Sequence, residues 1–258
     1  MSKDTKKLGL IQSRGVGDIV IALPIAKHFH DQGYKVLWPI CEEFWPNFKD
    51  TVPWVQWIPM VADQKGDFFH KEPMQRLKNF KCDEIICLYQ SLSGSPEFSQ
   101  VPWFQIQKFD EYKYTKAGVP FKNKWQLAEC ITRDLAKEQA LKNRLVKQQH
   151  YYVTHTEGSM YQTTPDLSAI PSEWQQIDIK GDITDSVFDW LTIIEGAQAV
   201  VCLDSVIANM VDQLDIKVDK YWIPRSHIHL TPVLGSDWTI LDPPPDSLAA
   251  NALFTSAR

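Results

Sequence analysis

The stretch Leu10-Ile-Gln-Ser-Arg-Gly-Val-Gly-Asp-Ile-Val-Ile-Ala-Leu-Pro24 decides the fold class. The apolar run Leu8 to Ile11 has the character of a buried strand. Ser13-Arg14-Gly15-Val16-Gly17 reads as a tight turn, and Asp18 opens an apolar helix. Strand, glycine turn and helix in that order present backbone N–H groups and one polar side chain at the carboxyl edge of a sheet. The spacing Gly15-x-Gly17 has no third glycine, so the dinucleotide fingerprint is incomplete. The next strand, through Val36-Leu-Trp-Pro39, also ends without the acidic residue that would hold a ribose. Both points argue against a dehydrogenase.

The alternation continues outward from this stretch. Ile19 to Gln32 reads as a helix disturbed at Pro24 and ended by Gly33. Lys35 to Pro39, Val55 to Ile58 and Asp83 to Tyr89 read as strands. Glu42 to Asp50, Pro73 to Phe80 and Phe109 to Ala117 read as short helices, and Ser91 to Pro102 as a turn-rich loop at the carboxyl edge. Apolar residues at near-helical spacing predict one long helix over Asn123 to Gln149, supported by the pairs Glu129/Arg133 and Glu138/Lys142. Strands at Tyr151 to His155, Gln176 to Ile179, Ala199 to Leu203, Asp219 to Ile223 and Thr239 to Leu241 then restart the pattern. Helices are expected from Val187 to Ile194 and from Asp204-Ser205 to Leu214. The chain reads as two βα-alternating halves, residues 1–122 and 150–258, joined by a helix over 123–149.

Bulk properties narrow the class. The 258 residues are 44% hydrophobic and 23% charged, with room for a real core. The net charge of −5 provides no general field for a nucleic-acid backbone. The five cysteines are scattered and odd in number, so reduced core thiols are expected. No apolar signal core opens the chain, and no apolar run reaches the roughly 20 residues that span a bilayer. A cytoplasmic protein is expected. His227-Ile-His229 is a possible metal pair without a third ligand nearby, so no metal site is expected.

Two segments together resemble a known family. LIQSRGVGDIVIALPIAKHF is similar to the opening of the heptosyltransferases, glycosyltransferase family 9, and DWLTIIEGAQAVVCLDSVIANMVDQL is similar to that family's second signature. The resemblance implies an α/β GT-B architecture, two Rossmann-like domains facing across a cleft. It implies inverting, metal-independent transfer of a sugar from a nucleotide-diphosphate sugar, which serves as co-substrate with no further cofactor. Asp18 matches the aspartate that acts as general base, with Arg14, Gly15 and Gly17 beside it on the acceptor side. Asp204 and Ser205 match the donor-side signature, and Tyr151 to Thr156 resembles the strand and turn that meet the donor phosphates. Thr154, Thr156 and Ser159 offer hydroxyls there.

The sequence also departs from the family pattern. Val206 stands for glycine and Asn209 for the usual histidine; Glu157 follows Thr156 where a phosphate-binding lysine is expected. Lys180, Arg225 and Arg14 are the candidate replacements for that lysine. These departures and the short chain leave the sugar and acceptor open, with a glycan or the hydroxymethylated base of a viral DNA as acceptor classes. They also leave open a protein that binds nucleotide sugars without turning them over.

Overall fold

The structure, a computed structural model, describes residues 5–61, 67, 69–89, 108–158, 161–224 and 231–241. Ser159, Arg225, His227, His229, the 91–102 loop and most of 63–70 lie outside the described residues. The chain divides into two compact units between Thr132 and Arg133.

The first unit is a parallel sheet of β1 (Lys7–Ile11), β2 (Lys35–Cys41), β3 (Gln56–Met60) and β4 (Glu84–Cys87), in the order β3-β2-β1-β4. Leu8, Leu10 and Ile11 on β1 are fully buried, as their continuous apolar run requires. Helix α1 (Val16–Asp31) follows β1, and every residue from Ile19 to Ala26 is buried. It runs unbroken through Pro24. A helix buried on all sides gains enough from packing to outweigh one lost backbone bond. Helices α2 (Lys71–Asn79) and α3 (Phe109–Ala117) complete the unit. Gly118 stops α3 in the left-handed conformation at φ 67°, where a glycine carries no Cβ penalty. The short helix expected over 42–50 is a single 3-10 turn, Trp45–Asn47.

The long helix expected over 123–149 does not form. Two 3-10 turns, Phe121–Trp125 and Leu127–Glu129, precede a separate helix α4 (Leu135–Leu145). Asp134 caps α4 by accepting from the Lys137 N–H at 3.0 Å, and the Thr132 N–H bonds instead to the Thr51 carbonyl at 2.7 Å. The supposed apolar stripe is interrupted accordingly, since Leu127 and Leu141 are buried while Leu135 is 63% exposed. Arg133 therefore pairs with Glu138 and Glu195, not with Glu129.

The second unit holds β5 (Tyr151–His155), β8 (Gln175–Asp178), β9 (Ala199–Leu203), β10 (Asp219–Ile223) and β11 (Trp238–Ile240), all parallel, in the order β11-β10-β9-β5-β8. A small antiparallel hairpin, β6 (Glu157–Gly158) and β7 (Tyr161–Gln162), follows β5. Helices α5 (Leu191–Glu195) and α6 (Val206–Gln213) flank β9 in sequence, and a 3-10 turn, Val187–Trp190, leads into α5. All five cysteines are free thiols. No helix of the described residues is long and apolar enough to cross a membrane.

In both sheets the strand order reverses direction once, between β1 and β4 in the first and between β5 and β9 in the second. Loops leaving the carboxyl ends at such a reversal splay apart and leave a crevice, which is where open α/β sheets bind ligands.

Candidate functional site

The first crevice is built from the turn after β1 and the end of β4. Gly15 is the residue before α1 and has φ 81°, ψ 103°, outside the left-handed helical well that Asn tolerates. Asp18 is the third residue of α1, where the helix N-terminus favours a carboxylate. Its side chain is 40% exposed. The Asp18 Oδ1 lies 3.1 Å from the ammonium of Lys113 on α3. The other oxygen, Oδ2, sits over Gly15: a Cβ added there would stand 2.8 Å from it. Among the described residues Oδ2 receives no hydrogen bond.

Lys113 is nearly fully buried. Its ammonium donates to Gln12 Oε1 at 2.6 Å and to the Leu88 carbonyl at 3.4 Å. It also lies over the rings of Tyr89 and Phe109, 5.9 and 5.6 Å from their centres. Gln12 in turn donates to the Arg14 carbonyl at 2.9 Å. The Tyr89 hydroxyl accepts from the Arg14 N–H at 3.1 Å and lies 3.1 Å from Ser13 Oγ. Burial raises the Tyr89 phenol well above its ordinary range, so it stays protonated. Arg14 is drawn to Glu43 at 3.0 Å and lies over the Phe69 ring. Gly17 lies inside the first turn of α1.

Substituting Gly15 by Ala is expected to destabilise the protein by roughly 1–3 kcal/mol through backbone strain. It should also push the Asp18 carboxylate out of place. The midpoint of urea unfolding and the rate of any Asp18-dependent reaction read the two effects separately.

The second crevice is built from the ends of β5, β8 and β9. His155 Nδ1 lies 2.9 Å from Ser205 Oγ across the β5–β9 reversal. Ser205 stands at the N-cap of α6, yet its hydroxyl bonds to no N–H of that helix. The first-turn N–H groups of α6 are thus left without the side-chain cap that Ser usually supplies. Asp204 is buried, and its N–H donates to the Ile223 carbonyl at 3.1 Å. Asn209, also buried, turns its amide back to the helix start, where Nδ2 donates to the Ser205 carbonyl at 2.9 Å. Its Oδ1 is a buried acceptor with no hydrogen bond among the described residues. Leaving such a group unmet costs about 1–3 kcal/mol, which marks the position.

The remaining sequence-derived residues fall around this edge. Thr154 is buried and its hydroxyl donates to Asp178 on the neighbouring strand, so that hydroxyl serves the sheet. Thr156 is half-buried, and its carbonyl accepts from the Thr163 N–H at 3.0 Å, closing the β6–β7 hairpin. Lys180 is exposed two residues beyond β8. Among the described residues no group of three His, Cys, Asp or Glu side chains is assembled that could hold a metal ion.

Each unit's edge also holds residues that the sequence does not single out. Tyr89, two residues beyond β4 in the first unit, and His155, the last residue of β5 in the second, find their place at their edges once the strand order is known. Lys113 lies in FDEYKYTKA, where a lysine reads as solvent-facing, and carries no local signal.

No protein-family model and no curated protein matches the sequence. Solved structures do match the fold. The glycosyl transferase family 9 protein from Veillonella parvula DSM 2008 aligns with a TM-score of 0.55 at 11% identity, over 94% of this chain and 88% of that one. E. coli ADP-heptose LPS heptosyltransferase II aligns at 0.52 and 12% identity, over 91% and 89%. E. coli heptosyltransferase WaaC, in a structure with ADP, aligns at 0.52 and 14% identity, over 95% and 97%. With two Rossmann-like parallel units and these neighbours, the chain has the heptosyltransferase-like fold of glycosyltransferase family 9, of the GT-B class.

Proposed function

We propose that the protein is a glycosyltransferase that moves a sugar from a nucleotide-sugar donor to an acceptor hydroxyl, with inversion and without a bound metal. The observation that carries this reading is Asp18. One of its oxygens is paired with a buried ammonium, and the other lies over Gly15 on a side chain that is 40% exposed. A sugar hydroxyl is a weak nucleophile, and a carboxylate fixed in this way can take its proton as the new bond forms. A single displacement with one base and no enzyme nucleophile inverts the anomeric centre.

The second unit supports a donor site. The leaving nucleoside diphosphate needs positive potential, which the N-terminal turn of α6 offers. Ser205, His155, Thr156 and Lys180 lie at the same edge and supply polar contacts, with Asn209 bracing the start of α6 through the Ser205 carbonyl. Arg14, Gly15 and Gly17 border Asp18 on the acceptor side. The likeness to structures of heptosyltransferases, one with ADP, supports a nucleoside diphosphate as the carrier.

The test is product analysis. The protein is incubated with ADP-, UDP- and GDP-sugars and with oligosaccharides or hydroxymethylated DNA as acceptors, and the acceptors are weighed by mass spectrometry. The expected result is one acceptor gaining the mass of one sugar residue. Donor binding without any product across that panel overturns the reading in favour of a non-catalytic nucleotide-sugar-binding protein.

A further inference from the structure

We infer that Lys113 is a positioning residue for Asp18, and that the chain Gln12–Lys113–Asp18 transmits the geometry of the sheet edge to the base. This inference rests on the reading of Asp18 as the general base. An ammonium has three N–H donors. Two of those on Lys113 are directed to Gln12 Oε1 and to the Leu88 carbonyl, groups that immediately follow β1 and β4. These anchors sit on either side of the strand-order reversal, at the ends of two paired strands. With two donors engaged there, the ammonium stands 3.1 Å from Asp18 Oδ1 and pairs with it as an ion.

Burial strengthens the device. Lys113 is 4% exposed, and Gln12 1%. Neither has solvent to turn towards, so the ammonium keeps one orientation. Asp18 by contrast is 40% exposed and on the first helical turn, where a short side chain has several rotamers open to it. Held through Oδ1, its Oδ2 is the oxygen that lies over Gly15 and receives no hydrogen bond among the described residues. Without the ammonium, the carboxylate is free to rotate and to hydrate. A misplacement of about 1 Å in a catalytic group costs about 100-fold in rate.

The experiment is a double-mutant cycle on the transfer reaction, using the donor and acceptor identified by the product analysis, with Asp18→Asn and Lys113→Met. Lys113→Met keeps the length and apolar stem of the side chain. The expected result is a fall in kcat of about 100-fold for Lys113→Met with the donor KM unchanged. In the Asp18→Asn background the same substitution should change the rate by less than about threefold, because Lys113 then has no base to position. Full activity in Lys113→Met beside an inactive Asp18→Asn overturns the inference and leaves the base intact. Full activity in Asp18→Asn overturns the base itself. Multiplying losses in the double variant show that Lys113 acts by another route and also overturn the inference. Lys113→Gln, which keeps an N–H donor in place of the charge, is the second variant if Lys113→Met fails to fold. It should also lower kcat, since it lacks the charge that pairs with Asp18, and full activity in it overturns the inference.

Discussion

Asp18→Asn is expected to slow sugar transfer by about 10²- to 10⁴-fold, the range for removing a positioned general base. The substitution is close to isosteric, so the amide occupies the same place on the first turn of α1. It removes the basic oxygen and leaves the shape of the crevice. The stability cost should be about 1–3 kcal/mol, because the buried Lys113 ammonium keeps an oxygen neighbour in the amide but loses its counter-charge. Donor binding should be unchanged, because Ser205, His155 and Asn209 belong to the other unit. The measurement is initial rate at saturating donor, with thermal unfolding and donor affinity as controls. A variant that binds donor, is folded at the assay temperature and turns over at the native rate would end Asp18's role.

The legible parts of the fold are those where local sequence and packing agree. Ala199 to Leu203 is apolar throughout and is a central strand buried at every residue. Tyr151–His155, Asp219–Ile223 and Phe109–Ala117 form where the pattern places them. The 123–149 stretch misleads because spacing alone cannot show that Asp134 will start a helix of its own. Nor can spacing show that Thr132 will find a carbonyl 81 residues earlier, at Thr51. Strand order is a long-range property and no single segment carries it. The turn at Gly15 points to Asp18, the proposed base, but not to the lysine paired with it. Lys113 comes 95 residues after Asp18 in a polar helix, and its burial is tolerable only because three oxygens meet it.

The same reasoning applies to a second buried lysine, whose removal is the largest stability effect expected. Lys124 lies in the 3-10 turn Phe121–Trp125 and is fully buried beside Asp110 of α3, at 2.9 Å, with neither side chain exposed. Lys124 also sits over the rings of Phe121 and Trp125, 5.9 and 5.4 Å from their centres. Lys124→Met should destabilise the first unit by about 3–5 kcal/mol, because it removes the ammonium 2.9 Å from a fully buried carboxylate. The double replacement Asp110→Leu with Lys124→Met should recover much of the loss, since the cost lies in a buried carboxylate that has lost this cation and not in the missing pair. Urea unfolding followed by a probe of the first unit measures both. Additive losses in the double variant would contradict this account.

The consequence should reach the site. Asp110 and Lys113 stand three residues apart on α3, on neighbouring positions of one helix face. The Lys124–Asp110 pair fixes the start of the helix that carries Lys113 to Asp18. Transfer by Lys124→Met, measured where the variant is still folded, is therefore expected to fall in kcat more than in donor KM.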